Sequence, residues 1–201
     1  MRDLRLCILS FAIGLSLIAT GAQAQLLNPS FEQGVDPGGS LRLFHGSQDI
    51  IGWTVSGDVL QYGGTDWAAE HGERSVGLYE SLFPGIKSAI WQRFRTTPGA
   101  ASVVLFWYAP APLSRPMLNR FLTVRVAGRE VVFHITGIGS TSAPGWRQGS
   151  MAFTATADST SLEFANVYDG QKGGLLVDDV LITAPVQVRT STWGQTKIRY
   201  R

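Results

Sequence analysis

Hydrophobic and polar positions alternate with a period of two along much of this chain. In Ile90–Arg95, Ile90, Gln92 and Phe94 share one face, and Trp91, Arg93 and Arg95 share the other. In Phe121–Val126, Leu122, Val124 and Val126 point one way, opposite Thr123 and Arg125. Half-buried antiparallel strands have this pattern. Ala127-Gly128-Arg129-Glu130, between two such runs, reads as a hairpin turn. Val103–Tyr108 is apolar throughout, which fits either a strand covered on both faces or one with an aromatic outer face. Strands are predicted at Leu26–Phe31, Ile50–Val55, Asp58–Tyr62, Ser75–Tyr79, Ser88–Arg95, Ser102–Tyr108, Arg120–Ala127, Glu130–Ile135, Gly149–Ala155, Ser161–Ala165 and Leu175–Thr183. Gly, Pro, Asn and Asp separate them, and helical periodicity is hard to find. So many short strands predict an all-β fold, a two-sheet antiparallel β-sandwich of jelly-roll type, from about Leu26 to Thr183. Its first and last strands are expected to be adjacent.

The ends of the chain read differently. Arg2 and Arg5 precede an apolar run from Leu6 to Ala19, and Ala22-Gln23-Ala24 closes it with small residues. That is the layout of a secretory signal peptide, predicted over residues 1–24. The run is 14 residues long, short of the ~20 that span a bilayer. Cys7, inside this segment, is the only cysteine, so disulfides cannot support the body at 25–184 and it must rely on its core or on a metal. No later apolar run is long enough to cross a membrane. The tail at 185–201 carries Arg189, Lys197, Arg199 and Arg201 and no acid. It reads as a free end or as a surface-sorting or docking element. With the basic ends set aside, the body carries a net charge of −3, unlike a nucleic-acid binder. A secreted location, extracellular, periplasmic or cell-surface associated, is expected.

A series of short motifs runs through the body: Leu27-Asn28-Pro29-Ser30-Phe31-Glu32, Ile50-Ile51-Gly52-Trp53-Thr54-Val55, Trp67, His71–Leu78, Ile90-Trp91-Gln92-Arg93-Phe94, Gly145-Trp146, Met151–Ala155 and Leu175-Leu176-Val177-Asp178-Asp179-Val180. In this order they resemble the "domain of unknown function 642" family and its bacterial relatives, the choice-of-anchor C proteins. The opening and closing motifs also resemble those of carbohydrate-binding modules. The resemblance implies a galactose-binding-like jelly roll, export, and a link to polysaccharide. The chain departs from the pattern in two places: its tail lacks the hydrophobic segment of a sorting signal, and Leu78-Tyr79-Glu80 replaces an Asp-Leu-Asn-Gly type stretch.

The same resemblance implies a structural Ca²⁺ joining the first strand to the last, with Glu32 and Asp178 at the matching positions. Two carboxylates brought that close repel unless a proton, a base or a cation intervenes. Oxygen-only ligands would favour Ca²⁺ over zinc. No histidines stand at zinc-ligand spacing. Asp66, Glu70, Glu73 and Glu80 are the candidate acids for a glycosidase pair, but clustered acids in a Gly-rich loop are usually just solvated.

Aromatic residues are the stronger signal, because the apolar faces of sugar rings stack on flat side chains. Trp53 and Trp146 read as core. Trp67, in a Gly-rich loop, is the candidate platform, with Tyr62, Asp66 and His71 near it. A second candidate group is Trp107, Tyr108, Arg115 and Asn119 around the Pro-rich loop Pro110–Pro116. The expectation is an exported, non-catalytic polysaccharide-binding module. A structural or adhesive surface protein is the alternative, and a hydrolase ranks last.

Overall fold

The computed structural model describes residues 25–64, 66–79, 87–111, 120–167 and 174–183. Residues 1–24, predicted as a signal peptide, the basic tail at 185–201, Glu80, Arg115 and Asn119 lie outside the described residues. Eleven strands form among those described: β1 (Ser40–Phe44), β2 (Thr54–Ser56), β3 (Asp58–Gly63), β4 (Arg74–Leu78), β5 (Ala89–Arg95), β6 (Ala101–Pro110), β7 (Arg120–Val126), β8 (Arg129–Ile135), β9 (Arg147–Thr154), β10 (Ser159–Val167) and β11 (Leu175–Thr183). They make a six-stranded sheet ordered β1-β3-β4-β11-β6-β9 and a five-stranded sheet ordered β2-β5-β10-β7-β8. Every pairing between these strands is antiparallel. This is the two-sheet jelly-roll sandwich that the alternation predicts.

Most strands fall where expected. The even positions of Ile90–Phe94 are buried and Trp91, Arg93 and Arg95 are exposed. The β7–β8 hairpin closes through Ala127 and Gly128, both at positive φ, between the paired Val126 and Arg129. Positive φ at both central residues matches the right-handed twist of the flanking strands.

Two expectations at the start of the chain are overturned. Leu26–Phe31 is not a strand. Asn28 and Phe31 have positive φ and the Phe31 N–H bonds back to the Asn28 carbonyl, so the segment turns. Pro29 also brings no N–H for a ladder. The first strand is instead β1, and it pairs with β3, while β11 lies between β4 and β6. First and last strands are therefore not neighbours. The N-terminal segment still reaches β11 through a bond from Val180 N–H to the Pro29 carbonyl, beside the bulge between Asp178 and Leu181.

The core lies between the sheets. Val104 and Phe106 of β6 and Val177, Val180 and Ile182 of β11 face Ile90, Leu122, Val124, Leu162 and Phe164 of the other sheet. Phe106 and Phe164 bridge the layers with ring centroids 5.1 Å apart. Gly149 of β9 makes room for this pair, since a Cβ there would come within 2.4 Å of the Phe106 ring. Because β6 alternates, Val104 and Phe106 are buried while Val103, Leu105 and Trp107 on its other face are half-buried. Val103–Tyr108 is thus a strand with an aromatic outer face.

Candidate functional site

A second, smaller apolar cluster sits on the outer face of the six-stranded sheet. Tyr62, Trp67, Ala109, Ala111 and Leu176 form it, with Leu60, Tyr79 and Trp146 packed at its edge. The pairing registers explain the assembly. Leu60, Gly77, Leu176 and Ala109 stand side by side across β3, β4, β11 and β6. Small residues at Gly77 and Ala109 leave a shallow trough, and the β3–β4 loop folds down into it.

Trp67 enters that trough from the loop and is 5% exposed. Its ring meets Tyr62 edge-on, with centroids 5.2 Å apart. Trp67 is therefore a buried packing residue and not an exposed sugar platform. The physical reason is that the outward strand residues beneath the loop are apolar, so burying the indole against them removes both from water. Replacing Trp67 with alanine is expected to destabilise the protein by roughly 3 kcal/mol, read as a lowered Tm. An unchanged Tm would contradict this placement. Tyr62 is buried with it, and its hydroxyl lies 2.6 Å from the Tyr79 hydroxyl. Burial raises the pKa of both phenols, so both stay neutral hydrogen-bonding groups. Asp66 and His71, by contrast, are exposed on the loop.

Of the second candidate group, Trp107 lies on the outer face and Tyr108 does not. Tyr108 faces inward and packs on Phe106 and Phe133, at 5.9 and 5.6 Å between centroids. Trp107 points out, opposite Asp178 on one side and Gln148 on the other. The same alternation corrects Trp146. It follows directly from the β9 ladder, is half-buried at the edge of the outer cluster, and donates its indole N–H to the Ala68 carbonyl at 3.1 Å. Only Trp53 is core as expected, at 1% exposure. The outer face thus offers three half-buried aromatic rings, Trp107, Trp146 and Tyr79, held by a sheet and a pinned loop. Counting parity along β6 and back from β9 is the sequence signal for the two tryptophans.

Glu32 and Asp178 pin the β3–β4 loop. The Asp178 Oδ2 accepts the N–H groups of Glu70 and His71 at 2.8 and 3.0 Å, and Oδ1 accepts that of Asp179 at 2.7 Å. The Glu32 Oε1 accepts those of Glu73 and Arg74 at 3.0 and 2.9 Å. The two side chains bracket one turn of chain, and their polar contacts go to backbone N–H groups of that turn and of Asp179. Ca²⁺ needs six to eight oxygen ligands, whereas the groups converging on Asp178 are N–H donors. Among the described residues no group of three or more His, Cys, Asp or Glu could hold a metal. As placed, the pair does not fit a shared calcium. A thermal melt is accordingly expected to be the same in calcium and in chelator, and a higher Tm in calcium would restore the metal.

The fold, two antiparallel sheets in a jelly roll, is shared with solved carbohydrate-binding modules. The module TmCBM61, solved in complex with β-1,4-galactotriose, is similar over 82% of this chain and 100% of its own, at 16% identity and a TM-score of 0.50. A CBM35 from Paenibacillus barcinonensis matches over 72% of this chain and 99% of its own, at 18% identity and a TM-score of 0.44. The family described as "Protein of unknown function (DUF642)" matches residues 24–183, and the chain belongs to it. No curated protein matches the chain. Among the described residues no helix is long and apolar enough to cross a membrane.

Proposed function

We propose that this protein is an exported, non-catalytic module that binds cell-wall or extracellular polysaccharide. The observation that carries the reading is the set of half-buried rings Trp107, Trp146 and Tyr79 on the outer face of a rigid sandwich. Sugar rings lie on such faces through their C–H groups, and the polar Gln148 and Ser150 of β9 on the same side of the sheet suit the hydroxyls. The galactotriose bound by the structurally similar module supports the same reading, as does the N-terminal layout of a secretory signal. A hydrolase would need two carboxyls facing each other across the bond. Glu70 and Glu73 instead belong to the loop whose backbone is pinned by Asp178 and Glu32.

The test is affinity electrophoresis and pull-down on a panel of soluble and insoluble polysaccharides. Trp107→Ala and Trp146→Ala are each expected to weaken binding by about tenfold or more, with Tm lowered far less than in Trp67→Ala. Absence of binding to every glycan at millimolar concentration would end the reading. Release of reducing sugar would turn it towards a hydrolase.

A further inference from the structure

Trp91 is the most exposed tryptophan among the described residues, 38% open to solvent. It stands on the outer face of the five-stranded sheet, away from Trp107 and Trp146. Its ring meets no other aromatic ring among those residues. Alternation along β5 puts Arg93 and Arg95 on the same face, both exposed. Successive residues on one face of a strand stand about 6.8 Å apart. No acid forms an ion pair with either arginine among the described residues.

The nearest acids on this face are already engaged. Glu163 stands opposite Trp91 on β10, and Arg125 of β7 holds it together with Glu130 of β8. Opposite Arg93 and Arg95 stand Ser161 and Ser159, short side chains with hydroxyls. On the other side β2 begins at Thr54, opposite Trp91, so it does not run beside the two arginines. An open indole and two guanidiniums thus follow one another along a single strand, bordered by small polar residues. All seven residues of β5 pair with β10, which fixes the spacing of this row. The body as a whole is net negative, so the row is a local excess of positive charge.

We infer that this face is a second glycan-binding surface and that its ligand is an acidic polysaccharide, a chain containing uronic acids. Trp91 takes the apolar face of one sugar ring. Arg93 and Arg95 take the carboxylates of sugars further along the chain. A guanidinium suits a carboxylate because its parallel N–H groups match the two oxygens in spacing and plane. Ser161 and Ser159 meet the hydroxyls. The inference goes beyond the site on the six-stranded sheet and does not depend on it.

Titration of the full chain with polygalacturonate, its methyl ester, a neutral galactan and polyglutamate tests it. Polygalacturonate is expected to bind about 5- to 30-fold tighter than its ester, the effect of two exposed ion pairs. That advantage should vanish in roughly 1 M salt. Polyglutamate carries the charge but brings no sugar ring to Trp91, and is expected to bind about tenfold more weakly than polygalacturonate. Replacing both arginines, Arg93→Gln with Arg95→Gln, is expected to bring the acid polymer down to the level of its ester with little change in Tm, since both side chains are exposed. Trp91→Ala is expected to weaken the acid polymer by about tenfold, and Trp107→Ala to leave the acid preference in place. The comparison of acid and ester on the unmutated protein stands even where a variant fails to fold. Equal binding of acid and ester, an acid preference that survives the double substitution, or polyglutamate bound as tightly as polygalacturonate would each overturn the assignment. Those outcomes leave the site on the other sheet intact, because it is read from the neutral galactan with Trp107→Ala and Trp146→Ala. Loss of the acid preference in Trp107→Ala would move the acidic ligand to that sheet and overturn the second surface.

Discussion

Asp178→Ala is expected to lower the Tm by roughly 10–15 °C, the largest effect of any single change away from the aromatic core. The Asp178 carboxyl is fully buried and accepts three backbone N–H groups, two of them from residues more than a hundred positions earlier in the chain. Alanine leaves all three without an acceptor. Each orphaned buried donor costs about 1–3 kcal/mol, partly relieved because Glu70 is half-exposed and water can reach that part of the loop. A net loss of roughly 3–5 kcal/mol follows, and about 2–4 °C accompanies each kcal/mol in a chain of this size. The β3–β4 loop would also lose one of its two pins, so Trp67 beneath it should become accessible to fluorescence quenchers.

The same carboxyl predicts a pH dependence. Burial pushes Asp178 up to about 7, even though the N–H groups of His71, Asp179 and Glu70 pull it down. A carboxyl whose folded pKa lies above its ordinary value binds its proton more tightly when folded. Its contribution to stability is therefore complete below the ordinary carboxylate range and is lost as pH rises through about 7. Across that window stability should fall by up to about 1.4 kcal/mol per pH unit. Asp178→Asn cannot titrate, so its profile should be flatter. Parallel profiles for the two proteins between pH 4 and pH 7 would show that Asp178 is already ionised in the folded state.

Trp53→Ala is the second large effect, expected at roughly 3–5 kcal/mol. Trp53 is the largest of the fully buried side chains, with Phe31 at 5.1 Å and Phe164 at 6.3 Å between ring centroids. Its indole N–H donates to the Asn28 carbonyl at 3.0 Å. Asn28 in turn folds the N-terminal segment over the end of the sandwich. Its side chain donates to the Gln33 and Ile51 carbonyls and accepts the Gln33 N–H. Removing the indole opens a cavity between the sheets and frees the residue on which that turn is built. Trp53→Phe fills most of the volume but lacks the donor, so its loss should be well below that of alanine. Equal Tm values for Trp53→Phe and Trp53→Ala would show that the hydrogen bond, and not the cavity, carries the cost.

The strands were legible in the sequence because a half-buried strand writes its environment locally, one face to a residue. Ile90–Arg95 and Leu122–Val126 could be sorted into inner and outer faces from their own neighbours. Ala127-Gly128-Arg129-Glu130 announced a hairpin as a turn between two alternating runs, and pairing tightened it to the two residues Ala127 and Gly128. The order of the short motifs, from Asn28-Pro29 to Asp178-Asp179, was enough to indicate the family.

Other features depended on distance in space. Leu26–Phe31 looks like a strand until its backbone meets the Asp178–Leu181 bulge, and β1 at Ser40–Phe44 is a short run in which only Leu43 is fully buried once it pairs with β3. A tryptophan in a Gly-rich loop reads the same whether the loop stands in water or folds onto an apolar trough. Trp67 is buried because Tyr62, Leu176 and Ala109, contributed by three different strands, lie beneath it. The side chains of Glu32 and Asp178 are held by amides of residues 70, 71, 73, 74 and 179, a solution that no spacing along the chain encodes. Likewise, an arginine at the head of a strand is ordinary in sequence. Only the packing of the strands around Arg120 shows that it is buried, with two of its nitrogens unpaired among the described residues, because burial and partnership belong to the neighbours that folding brings and not to the residue itself.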